Sequence, residues 1–255
     1  MERDMIQGGE SKLCDLTTRI GERLVSPEHR ARLKGERLAD QARQDELQEI
    51  RIQDFWRLRG TRYARCTLEN FEVTCHEQTA VVVAVAQYRD NLEASIDRGV
   101  GLVLTGPSGT GKDHLLATLC GPVLAIPRTL KWTSGAELFG KFRDNIDSRD
   151  SEGGLLADYT LPAVLVLSDP MPIIGSLTAY QAGILYRILD YRSSHLQATW
   201  ATLNVSNREE AERHLGPQIV RRLVDDSVSL ACNWQPYRRK SAARGRGVND
   251  APEKG

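Results

Sequence analysis

Cysteine is scarce in this 255-residue chain, and what there is lies scattered: Cys14, Cys66, Cys75, Cys120 and Cys232 form no C-x-x-C pair. That excludes the common zinc and redox motifs and gives no disulfide framework; reduced thiols are expected. Long apolar runs are missing too, so no membrane-spanning helix is expected. Met1-Glu2-Arg3-Asp4 opens no signal peptide, which predicts a cytoplasmic protein. Net charge is absent: Lys+Arg and Asp+Glu both number 34, so overall charge gives no sign of a nucleic-acid partner. There is no internal repeat. Hydrophobic content is 40%, enough for one sizeable α/β domain plus an extension.

In chain order, the first ten residues are polar and residues 13–25 read as a short helix. Ser26-Pro27-Glu28 is a helix start, with Ser as N-cap, Pro at the first helical position and an acid in the first turn. From there to about residue 59 the chain is dense in Arg, Glu, Gln and Leu, interrupted only by Gly35. One or two charged helices are predicted, with an imperfect stripe of Leu33, Leu38, Ala42, Ile52 and Trp56. Such a stretch is either a solvated face packed on a neighbour or an arm that docks a partner. It is taken as an N-terminal arm, residues 1–60.

Residues 78–98 carry Val81, Val85, Tyr88, Leu92 and Ile96 at helical spacing and end at Gly99. They predict one helix, despite the strand-like Ala80-Val81-Val82-Val83. Strands are expected at 101–105, 129–133, 163–167, 199–205 and 228–232. Ser134-Gly135-Ala136-Glu137 and Thr178-Ala179-Tyr180-Gln181 are capping boxes that open helices. Asn207 caps a short helix, and residues 217–224 make the next. Gly121-Pro122 predicts the end of the preceding helix, and polar residues 147–160 predict a loop. From residue 237 the chain is basic and small (Arg238, Arg239, Lys240, Arg244, Arg246), a disordered tail that either solubilises or touches nucleic acid. The alternation of strands and helices over residues 61–236 implies a mostly parallel sheet covered on both faces.

Gly106 to Asp113 reads Gly106-Pro107-Ser108-Gly109-Thr110-Gly111-Lys112-Asp113, between an apolar run and the helix-like His114-Leu115-Leu116. A strand, a Gly-rich loop and a helix are what a phosphate-binding P-loop requires. The glycines let backbone N–H groups surround phosphate oxygens, Lys112 adds a positive charge, and the helix offers the positive end of its dipole. Asp113 departs from the pattern, standing where Ser or Thr normally helps hold Mg²⁺.

Such a loop works with an acid at the end of a buried strand, which holds the metal, and a neighbouring acid that orients water. The candidate is Ala163-Val164-Leu165-Val166-Leu167-Ser168-Asp169-Pro170. Counted strictly, Ser168 takes the metal-acid place and Asp169 the catalytic one. Shifted by one, Asp169 is the metal acid and Pro170 replaces the catalytic acid. Either way one carboxylate is lost, so nucleotide binding is expected more firmly than hydrolysis. Asp113 suggests a compensation, with its carboxylate replacing the acid lost at Ser168; Asp in a first helical turn is also favourable on dipole grounds alone.

The ten residues from Gly106 to Leu115 resemble the P-loop of the DnaC/IstB group of AAA+ ATPases. Arg62-Tyr63 with Thr67-Leu68-Glu69-Asn70-Phe71 resembles that group's lead-in. Leu177-Thr178, Gln181-Ala182, Leu185-Tyr186 and Asp190-Tyr191-Arg192 resemble the helix after its Walker B strand, Leu215-Gly216 with Arg222-Leu223 its L-G…R-L box, and Asn233-Trp234 with Tyr237-Arg238 its closing motif. The likeness covers about residues 60–240. It implies a P-loop NTPase sandwich of three layers behind the helical arm, ATP and Mg²⁺ as cofactors, and work in DNA replication or transposition. The partner implied is a replicative helicase or a transposase, with single-stranded DNA and a homo-oligomer in the ATP-bound state. A nucleotide-binding adaptor without turnover is the alternative. By resemblance, the loop through His114 holds nucleotide, with Lys112 on the β- and γ-phosphates. Asn204 matches sensor 1, Arg222 (with Arg221 as rival) matches an arginine finger that reaches a neighbouring subunit, and Arg238 matches a late sensor-like Arg.

Overall fold

The computed structural model describes residues 27–146, 151–172 and 174–237. The described residues fall into two units that divide between Arg51 and Ile52. In the first, residues 27–51 all lie in helix α1 (Pro27–Arg59), which is one helix rather than two. Leu33 and Leu38, which begin the predicted apolar stripe, are exposed there. The expected helix at 13–25 and the basic tail beyond Tyr237, Arg238 included, lie outside the described residues.

The second unit is built on five strands: β1 (Gly101–Thr105), β2 (Leu130–Ser134), β3 (Val164–Ser168), β4 (Ala198–Leu203) and β5 (Ser227–Ala231). Their order is β2-β3-β4-β1-β5, and every pairing is parallel. Parallel strands need crossovers, and helices supply them: α2 (His76–Asp90), α3 (Leu92–Asp97), α4 (Lys112–Ala125), α5 (Gly135–Ile146), α6 (Glu152–Thr160), α7 (Ala179–Ser194), α8 (Arg208–Leu215) and α9 (Pro217–Val224).

The two-residue period of the strands divides the core in two. Leu102, Leu104, Val164, Val166 and Trp200 point to one face, where Val81, Val85, Tyr88, Leu92 and Ile96 of α2 and α3 meet Leu115, Leu116 and Leu119 of α4. Val103, Leu165, Leu167, Ala201 and Leu203 point to the other, against Leu138 and Phe142 of α5, Ile184, Leu185 and Ile188 of α7, and Ile219 and Val220 of α9. The result is the expected three-layer α/β sandwich. Each fully buried Leu contributes about 1.5–3 kcal/mol. Both predicted capping boxes are present. The Ser134 N–H donates to Glu137 at 2.8 Å, and the Glu137 N–H to Ser134 Oγ at 3.2 Å. Thr178 and Gln181 exchange the same two bonds at 3.0 and 3.2 Å.

Three local expectations are corrected. Pro122 does not end α4; it sits inside the helix, which continues to Ala125. Buried Val123 and Leu124 hold this last turn against the core, so packing outweighs the lost backbone donor. Residues 152–160 form α6 rather than a loop, because Tyr159 and Thr160 are buried and anchor it. The helix predicted at 78–98 is two helices, α2 and α3, divided at Asn91. No described helix is long and apolar enough to cross a membrane.

Candidate nucleotide site

The cleft at the C-terminal ends of β1, β3 and β4 has a volume of about 730 Å³. Open parallel sheets place ligands outside the carboxyl ends of their strands. Ser108, Gly109, Gly111, Lys112, Asp113 and His114 line it from one side, and Ser168, Asp169, Thr202 and Asn204 from the other.

The loop turns on left-handed glycines. Gly106 has φ +133°, Gly109 +85° and Gly111 +93°, conformations that side chains rarely adopt. Sterics add to this. A Cβ on Gly106 would meet the Cys232 carbonyl oxygen at 2.4 Å, and one on Gly111 the Phe71 ring at 2.7 Å. Lys112 is buried, and its Nζ donates to the Gly106 and Pro107 carbonyls at 2.7 Å each. Burial lowers its pKa, opposed by the nearby Cys232, Asp113 and Asp169. The cradle fits a polyphosphate: backbone N–H groups on glycines, one lysine and the first turn of α4.

A clasp holds this loop from behind. Trp234 Nε1 donates to the Thr110 carbonyl at 2.9 Å, and the Tyr237 N–H to the Gly109 carbonyl at 3.0 Å. The Tyr237 hydroxyl accepts from Gln78 Nε2 at 3.0 Å and donates to the Glu72 carbonyl. Phe71 sits edge-on to His114, Trp234 and Tyr237, with centroids 5.3, 6.4 and 5.8 Å away. His114, predicted as a nucleotide residue, has its Nε2 2.9 Å from the Thr67 carbonyl. The lead-in is itself locked, since the N–H groups of Thr67 and Asn70 donate to each other's side-chain oxygens at 3.0 and 3.2 Å.

Across the cleft, β3 ends at Ser168. Ser168 Oγ donates to Asp113 Oδ1 at 2.9 Å, and Thr202 Oγ1 donates to the same oxygen at 3.0 Å. Ser168, rather than Asp169, therefore faces Asp113. This is the strict count of the strand, and the period of β3 and β4 requires it, because Val164, Val166 and Trp200 share the α4 face. Asp169 follows with φ 47°, a left-handed conformation that costs about 1–2 kcal/mol in a non-glycine residue. Its N–H is held by Thr202, at 3.0 Å to the carbonyl and 3.2 Å to the hydroxyl. Asn204 Nδ2 donates to its Oδ2 at 2.5 Å, while its Oδ1 is buried without a partner. Burial raises the Asp169 pKa, opposed by Asn204 and Lys112. Gly135 makes room for this turn, since a Cβ there would meet Pro170 Cα at 2.7 Å.

Arg222 does not line the cleft. It lies on α9 and pairs with Asp190 at 2.6 Å; Arg221 pairs with Asp225 at 2.9 Å. The prediction from residues alone missed Thr202, whose hydroxyl joins both aspartates. Its signal was its position near the end of β4, two residues before Asn204. The cleft is also lined by Arg59 and Tyr63, whose contribution depends on a fold the linear chain does not display.

The strand order and this cleft define the class, a parallel α/β sandwich with a P-loop at the mouth of its cleft. No family model matches the chain. Over 180 residues it is 29% identical to the replicative helicase loader DnaC of Escherichia coli (strain K12), covering 69% of this chain and 70% of that protein. The crystal structure of the DnaC helicase loader superposes with a TM-score of 0.60 at 22% identity, covering 68% of this chain and 99% of that one. AMPPCP-bound DnaA from Aquifex aeolicus gives 0.56 at 15% identity, over 72% and 56% of the two chains. In sequence and in fold the chain is similar to the DnaC helicase loader.

Proposed function

We propose that the protein binds ATP with Mg²⁺ and loads a replicative helicase onto single-stranded DNA, acting as an ATP-gated switch in the cytoplasm. The observation that carries this reading is the 29% identity to a replicative helicase loader over 180 residues, beside a cleft lined by the P-loop. Residues 1–60 are the arm that docks the helicase. ATP draws copies of the chain together, and Arg222 reaches the nucleotide of the neighbouring copy. Lys112 leaves the loop carbonyls and takes the β- and γ-phosphates. This exchange favours phosphate because a charged acceptor binds an ammonium more strongly than a neutral carbonyl does.

The acid that faces an attacking water is Asp169, held by Asn204. Its side chain is one methylene shorter than a Glu and reaches less far into the cleft. Binding rests on the loop and hydrolysis on this acid, so turnover is slow relative to binding. The reading is tested by co-elution with the hexameric replicative helicase of the same genome, with and without ATP. The native chain is expected to co-elute with the helicase and to bind single-stranded DNA when ATP is present. Lys112→Ala loses the ATP-dependent part, and a chain lacking residues 1–60 loses the helicase. Failure of the native chain to bind the helicase under any nucleotide condition overturns the loader assignment.

A further inference from the structure

The two departures from the P-loop pattern touch each other. A hydroxyl is missing from the loop at Asp113, and a carboxylate is missing from β3 at Ser168; the structure puts Ser168 Oγ 2.9 Å from Asp113 Oδ1. Each position holds the chemical group that the other lacks. The geometry points to a reciprocal exchange: Asp113 of α4 supplies the carboxylate of the Mg²⁺·ATP site, and Ser168 of β3 supplies the hydroxyl that fixes it. This rests on the nucleotide-binding reading and specifies how that site meets its cation.

Three observations support the exchange beyond the pair itself. Both hydroxyls, from Ser168 and Thr202, donate to a single oxygen of Asp113, and its Oδ2 takes neither bond. The carboxylate is thereby oriented with one oxygen anchored, as a metal-binding carboxylate is by its hydrogen-bonded surroundings. Asp113 also lines the cleft next to Lys112, where the phosphate oxygens of a bound nucleotide would lie. Finally, the other local carboxylate is held apart from this pair: Asp169 Oδ2 accepts from Asn204, and its backbone stands at φ 47° just past the end of β3. Among the described residues no three His, Cys, Asp or Glu side chains cluster as metal ligands. That suits Mg²⁺, which takes one or two carboxylates together with phosphate oxygens and water rather than a protein cage.

The charge pattern follows. Asp113 repels the polyphosphate when no cation is present and attracts its Mg²⁺ complex. ATP affinity of the native chain is therefore expected to depend steeply on Mg²⁺. The test is calorimetric titration of the full chain with ATP, in Mg²⁺ and in EDTA. Native protein should bind about tenfold or more tightly with Mg²⁺. Asp113→Asn keeps the oxygen that accepts both hydroxyls, so its fold is preserved; it should lose the Mg²⁺ gain and bind ATP more tightly than native in EDTA, because the repelling charge is gone. The double variant Asp113→Thr with Ser168→Asp restores the usual order of the two groups and should regain the gain. Undiminished Mg²⁺ dependence in Asp113→Asn, or no recovery in the double variant, overturns the exchange. Native binding in EDTA with no gain from Mg²⁺ overturns it alone. Absence of ATP binding in both solutions overturns the nucleotide reading, and this inference with it.

Discussion

Two walls face each other across the cleft, and they are held in different ways. The P-loop wall is mostly backbone: glycines at positive φ, and carbonyls capped from behind by Trp234 and Tyr237. The acid wall is mostly side chain: Ser168, Thr202 and Asn204 hold two carboxylates by hydroxyl and amide hydrogen bonds. A backbone wall fails when space is filled. A side-chain wall fails when a donor is removed, and it can exchange its groups as long as the partners exchange together. This is why the departures from pattern sit at Asp113 and Ser168 and not among the glycines.

The largest effect should come from filling space. Gly106→Ala adds a Cβ 2.4 Å from a backbone oxygen and needs φ +133°, and is expected to destabilise by on the order of 3 kcal/mol. Gly135→Ala on the acid side meets Pro170 Cα at 2.7 Å without a positive φ, and should cost about 1–3 kcal/mol. Urea unfolding measures both; equal losses would erase the distinction between the walls. Asn204→Ala removes the bond that aims Asp169. Phosphate release should fall about tenfold or more while ATP affinity stays within about threefold. A matching loss of affinity would mean that Asn204 belongs to binding rather than to turnover.

Smaller effects come from the clasp. Trp234→Phe leaves the Thr110 carbonyl without its indole donor, and should cost about 1–2 kcal/mol in thermal or urea unfolding, with a modest loss of ATP affinity. Tyr237 gives a pH signature. Burial pushes its hydroxyl up to about 12 from the ordinary 10.0. Above pH 10 the unfolded chain ionises first, so this residue's contribution to stability is intact below pH 10 and is lost between 10 and 12. Tyr237→Phe should show a shallower fall of Tm across that window; an unchanged slope would remove Tyr237 from the clasp.

The glycine loop and the strands were readable because their signals are local. Positive-φ glycines follow one another in the chain, and a buried strand is a run of apolar residues. Pro122 was misread because local rules mark a helix end there, whereas Val123 and Leu124 are held by the core. Residues 152–160 were misread because their few buried groups, Tyr159 and Thr160, lie at the end of the segment. In the sequence Arg192 stood only as the last residue of the Asp190-Tyr191-Arg192 likeness. It is fully buried, with Nη1 donating to the Pro162 carbonyl at 2.8 Å, Nη2 to the Ala198 carbonyl at 2.6 Å and Nε to Thr199 Oγ1 at 2.9 Å. Its acceptors lie at the ends of other elements, which no helical period reveals.

By itself, the sequence determined the α/β alternation, the P-loop with Lys112, and the fact that the acid strand lacks a carboxylate. Those follow from residue types at fixed local spacing. Only the tertiary structure decided which residue of the acid strand faces the loop. The choice between Ser168 and Asp169 is a one-residue shift in a strand, and such a shift moves a side chain to the opposite face of the sheet. Packing of Val164, Val166 and Trp200 under α4 fixes that register. It brings Ser168 and Thr202, 55 and 89 residues away in the chain, onto the single oxygen of Asp113.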